Sequence, residues 1–115
     1  MPPAQQYAVA AALTLAVELP VYVACAIGLG WARWPRAVVA AAGVNLVTHP
    51  LLYAVTLHRG SVVLWLAEVV ATLVESALLT WWWQARPVST VLAVALVANG
   101  LSFVVGGAIL ALVRP

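Results

Sequence analysis

The stretch that decides the fold is WLAEVVATLVESALL, residues 65–79. It is apolar enough for hydrocarbon, yet it carries two glutamates, Glu68 and Glu75, seven residues apart. On a helix a seven-residue step turns through about 700°, so the two carboxyls share one face at a separation of roughly 10 Å. Lipid does not tolerate such a face, because an ionised side chain at the bilayer centre costs at least about 2.5 to 3.5 kcal/mol. The helix must turn it toward other protein.

The rest of the chain supplies that protein. Of its 115 residues 66% are hydrophobic and 7% charged, and the mean hydropathy is +1.10. An average soluble domain is nearer half apolar, so the composition predicts an integral membrane protein. The N-terminal apolar run lacks a basic start and is too long for a cleaved signal, which predicts a retained first helix. The polar breaks WARWPR, HRGS and QARPVS cut the chain into four pieces, each about the 20 residues needed to cross 30 Å of hydrocarbon. The fold expected is all-α: four transmembrane helices near 7–30, 37–57, 61–84 and 88–112, in an up-and-down bundle that makes one domain over 1–115. Pro35 and Pro87 mark helix starts.

All five basic residues, Arg33, Arg36, Arg59, Arg86 and Arg114, fall in the breaks or at the end, and no basic cluster suggests nucleic acid. Side A is the end of the bundle that holds both termini, and side B the opposite end. Trp31, Trp34, Trp81, Trp82 and Trp83 are expected to form an aromatic belt at side B, and Tyr7, Tyr53 and Trp65 a thinner one at side A. The arginine balance favours a cytoplasmic side B with both termini outside, and the composition suggests a bacterial inner membrane. His58 reads as a solvated interface residue, and the lone Cys25 as packing. Small residues four apart (Ala8, Ala12, Ala16; Ala67, Ala71; Ser102, Gly106) suit close helix contacts within a bundle or between copies.

The two hairpins echo one another. TLAVE at 14–18 matches TLVE at 72–75, and NLVT at 45–48 matches NGLS at 99–102. Each half reads Glu, then Asn-x-x-Ser/Thr one helix later. Such a duplication gives a pseudo-two-fold axis along the membrane normal, an arrangement known among transporters.

Counting from side A at 1.5 Å per residue puts His49 and Glu68 at roughly 10 to 12 Å, Glu18 and Ser102 at roughly 15 to 17 Å, and Asn45, Asn99 and Glu75 at roughly 18 to 21 Å. Every helix therefore brings polar groups to a similar depth. With no Lys or Arg inside the spans, the expected cation- or proton-binding residues are Glu18, His49, Glu68 and Glu75, supported by Asn45, Thr48, Asn99 and Ser102. A divalent metal ion at the first four is a candidate cofactor, although no metal-specific motif is present. Pro20 and Pro50, beside Glu18 and His49, are expected to kink their helices and free the carbonyls of Ala16 and Leu46.

These features point to a small cation or proton transporter or channel subunit, acting as a homo-oligomer in the lipid bilayer. An intramembrane enzyme acting on a lipid-like substrate and an accessory subunit bound to a membrane-protein partner are the alternatives. Protonated Glu and Asn can also serve simply as hydrogen-bond glue between helices.

Overall fold

The computed structural model describes residues 3–56 and 60–113, which form four helices and, among these residues, no strand: α1 (Pro3–Gly28), α2 (Trp34–Thr56), α3 (Gly60–Trp83) and α4 (Val88–Val113). They make a ring about 44 Å long and 23 by 20 Å across. In it α1 packs on α2 and α4, and α3 packs on the same two, so α1/α3 and α2/α4 are the diagonals. His58, Arg59 and Arg114, and the side chains of Tyr7 and Tyr53, lie outside the described residues.

The helix ends follow from local chemistry. At the end of α1 the Trp31 N–H donates to Ala26 O at 2.8 Å and the Gly30 N–H to Ile27 O at 3.2 Å, with Gly30 at φ 75°. This is a Schellman stop, which needs a left-handed residue and favours glycine there. The end of α3 repeats it with Gln84 at φ 52° and an Ala85 N–H to Thr80 O bond of 3.2 Å. The Gln84 side-chain amide then donates to Trp81 O, and Arg36 donates to Trp82 O, so two more terminal carbonyls are met. Helix α2 begins at Trp34, three residues before the expected start, because Pro35 lies in the first turn, where its missing N–H has no helical partner to lose. Pro87 precedes α4, and its carbonyl accepts from Thr90 and Val91.

The apolar core occupies the side B half. Ala37, Ala40, Ala41 and Val44 of α2 and Val91, Val94, Ala95 and Ala98 of α4 surround Tyr22, Ala26, Leu79 and Trp83, and the small side chains allow the close helix approach seen here. Cys25 packs half-buried against this core. Among the described residues the buried ones run only from Glu18 to Thr48 and from Ala71 to Asn99. Packing therefore loosens toward side A.

The outer surface is apolar: Leu46, Leu51, Val62, Leu66, Val69, Leu96 and Val104 are all exposed, while Glu18, Glu75, Asn45 and Asn99 are buried. A soluble bundle has the opposite polarity. Among the described residues two helices carry a stretch long and apolar enough to cross a membrane, Ala8–Gly28 and Val88–Ile109.

Two expectations need correction. Only Trp34 and Trp81 of the side B tryptophans are well exposed; Trp83 is buried and stacks on Trp31 at 6.1 Å, and Trp82 covers Gly43. The indole ring is as useful inside a core as at an interface, so its position in a break does not decide between them. The prolines do not face the interior either. Pro20 and Pro50 are exposed, as are Ala16 and Leu46, whose carbonyls they free. Two residues turn a helix by about 200°, which puts Pro20 on the face opposite Glu18.

Candidate functional site

At the lower edge of the packed half lies a cavity of about 40 Å³, lined by Thr14, Glu18, Asn45, Thr48, His49, Glu68, Glu75, Asn99 and Ser102. All four helices contribute to it. The eight polar residues singled out by spacing and depth are thus brought to one place, although they come from segments up to 84 positions apart in sequence.

Glu75 is the centre of the network. Its Oε1 accepts from the Tyr22 hydroxyl at 2.7 Å and from Asn99 Nδ2 at 3.2 Å, and its Oε2 lies 2.9 Å from the Thr48 hydroxyl. Tyr22 reaches it across the diagonal from α1 to α3. Position 22 lies one turn beyond Glu18 on the same helical face, a spacing that could have revealed it. It reads instead as a plain aromatic residue, because tyrosine is common in membrane helices without a polar task.

The hydrogen atoms limit how these contacts coexist. Asn99 has two amide protons: one is held by Ala95 O at 2.9 Å, and the other is shared between Glu75 Oε1 and the Tyr22 oxygen at 3.4 Å. The Thr48 hydroxyl has one proton and two nearby acceptors, Val44 O at 3.0 Å and Glu75 Oε2 at 2.9 Å. It donates to one of them at a time. When it donates to Val44 O, its own oxygen is free to accept from a protonated Glu75.

Glu18 is placed differently. It is 1% exposed, and Ser102 and Glu75 are its polar neighbours. Its Oε1 meets no donor, and neither does Oδ1 of Asn45, which is 2% exposed and gives one amide proton to Ala41 O at 2.9 Å. Glu68 and His49 are half-buried and complete the side A rim. The other buried polar side chains of α3, Thr72 and Ser76, bond back to their own helix at Glu68 O and Leu73 O and do not border the cavity.

Among the described residues no three of His, Cys, Asp and Glu come together as a metal-binding set. The divalent centre expected at Glu18, His49, Glu68 and Glu75 is not assembled. Oε1 of Glu75 already accepts from Tyr22 and Asn99, and Glu68 stands two turns away along α3.

A second cavity, of about 300 Å³, runs between α2 and α3 and is lined by Leu51, Val63, Leu66, Ala67, Val70, Ala71, Val74 and Thr48. It is apolar except for Thr48, the residue it shares with the polar cavity.

The chain matches no family model, and neither a curated protein nor a solved structure matches it.

Proposed function

We propose that this chain is a four-span membrane protein that carries protons or small cations through the polar cavity at the middle of its bundle, and that it works as a homo-oligomer. The observation that carries the reading is the polarity of the bundle: a cavity lined by carboxyl, amide, hydroxyl and imidazole groups sits inside helices whose outside is apolar. Burying two glutamates and half-burying a third is expensive, and gluing helices together does not require several ionisable groups at once. Helices α2 and α3, of 23 and 24 residues, have roughly the length that a 30 Å hydrocarbon layer demands. Val62 to Leu79 contains no charged residue besides Glu68 and Glu75. The exposed strip Ala8, Ala12, Ala16 on α1 supports close approach of a second copy.

The test is reconstitution into lipid vesicles with an imposed pH gradient and, separately, Na⁺ and K⁺ gradients. Flux above that of protein-free vesicles in one of them is the expected result. Flux equal to protein-free vesicles in all three refutes the proposal.

The apolar cavity between α2 and α3 favours a second reading, an intramembrane enzyme acting on a lipid-like substrate. An apolar chain lying there would end at Thr48, next to Glu75. Lipid that co-purifies with the protein and is chemically altered by it would select this reading.

A further inference from the structure

The two hairpins superimpose in role as well as in motif. Ala37, Ala40, Ala41, Val44 and Asn45 are buried on α2, and the residues 54 positions later, Val91, Val94, Ala95, Ala98 and Asn99, are buried on α4. On the other pair the shift is 57: Glu18, Tyr22 and Ala26 correspond to Glu75, Leu79 and Trp83, all buried. The polar contacts follow the same two-fold. Asn45 and Asn99 each donate to the carbonyl four residues back, both at 2.9 Å. Thr48 approaches Glu75, and its counterpart Ser102 approaches Glu18.

One buried pair breaks this symmetry in its chemistry. Where α1 has Tyr22, α3 has Leu79. The Tyr22 hydroxyl and Asn99 therefore close one oxygen of Glu75, while Glu18, with Leu79 as the counterpart of Tyr22, keeps a buried oxygen with no donor. The Asn45 oxygen lacks one too. Two buried acceptors with no proton between them are unstable by roughly 1 to 3 kcal/mol each. A single proton answers both. Bound to Glu18, it makes an O–H that donates to Asn45 Oδ1, directly or through one water, and a cavity of about 40 Å³ has room for such a water.

We infer that the bundle has one loading position, Glu18 with Asn45 as its acceptor, that its ligand is a proton, and that Glu75, held by Tyr22 and Asn99, shapes the cavity. This rests on the transport reading given above. Loading forms an O–H bond on Glu18 as a hydrated proton in the cavity gives up its proton and leaves water behind, and unloading is the reverse. The other titratable groups facing Glu18 are Tyr22 on its own helix, His49 on α2, and Glu68 and Glu75 on α3; α4 presents only Asn99 and Ser102.

Glutamine at position 75 keeps the contacts with Tyr22, Asn99 and Thr48: its carbonyl accepts from Tyr22 and Asn99, and its amide donates to the Thr48 oxygen while Thr48 donates to Val44 O. Glutamine at position 18 cannot release a proton. The experiment is proton flux into vesicles under a pH gradient for the full chain, Glu18→Gln and Glu75→Gln, together with infrared difference spectra of the same proteins in detergent as pH is raised. The expected result is a flux loss of roughly tenfold or more in Glu18→Gln and a clearly smaller loss in Glu75→Gln, on the scale of one buried polar contact. One titrating carboxylic-acid band is expected to be shared by the parent chain and Glu75→Gln and to be missing from Glu18→Gln, while any band from Glu68 stays in all three. Equal losses in both variants, or a band that vanishes with Glu75→Gln instead, overturn the assignment to Glu18 and leave transport standing. A parent chain with no flux in any gradient and no titrating band overturns both.

Discussion

Replacing Tyr22 by phenylalanine deletes the hydroxyl that donates to Glu75 at 2.7 Å and leaves the ring in place. Tyr22 is completely buried, so no solvent takes over the contact. Hydrogen bonds to charged groups are worth about 1.5 to 3 kcal/mol net in soluble proteins. Polar contacts measured inside a membrane bundle average about 0.6 kcal/mol and reach about 1.7. Glu75 keeps Asn99 and Thr48, but the lost contact is the shortest of its three, so the upper membrane figure applies: about 1.5 kcal/mol, a factor of roughly ten in the folding equilibrium. The assay is reversible unfolding in mixed micelles followed by tryptophan fluorescence. Trp83 lies edge-on to the Tyr22 ring at 6.5 Å and reports on the site directly. A double-mutant cycle with Glu75→Ala isolates the pair, with an expected coupling of about 1 to 1.5 kcal/mol. A coupling below about 0.3 kcal/mol, the range of independent sites, refutes the view that Tyr22 fastens α1 to α3.

Other perturbations separate the two halves of the site. Asn99→Leu removes a donor from Glu75 and lowers stability by about 1 to 2 kcal/mol at any pH, whereas Asn45→Leu removes the acceptor of the Glu18 O–H and lowers stability by a similar amount only at a pH where Glu18 is protonated; the same micelle titration, run at two pH values, compares them. Gly43→Leu drives a side chain into the ring of Trp82, which lies 3.2 Å from where a Cβ would stand, and costs about 1 to 3 kcal/mol with a shift in tryptophan emission. Arg36→Gln loses the bond to Trp82 O at the exposed end of α3 and costs about 0.5 to 1 kcal/mol in the same titration, with no change in flux.

Much of the architecture is legible in the residues because it depends on regular spacing. Proline at 35 and 87 and the polar breaks locate the helix ends to within a few residues, and the depth of each polar residue follows from the rise of the helix. The same arithmetic puts Glu18, Asn45, His49, Glu68, Glu75, Asn99 and Ser102 within one band roughly 10 Å deep. What spacing does not carry is direction. Pro20 lies two residues from Glu18 and points the other way, and Trp83 sits in a run of tryptophans yet turns into the core while Trp81 turns out. The inequality of Glu18 and Glu75 is also invisible in the motif they share. It arises from Tyr22 and Leu79, whose difference matters only once α1 and α3 face each other across the ring.

The exchange of partners between hairpins bears on how the chain is made. Thr48 of the first hairpin serves the acid of the second, and Ser102 of the second serves the acid of the first. On the four-span reading proposed above, a first hairpin made ahead of the second holds Glu18 before Ser102 has been synthesised. Synthesis halted between the hairpins would then leave a half-protein whose acid lacks the partner that α4 brings.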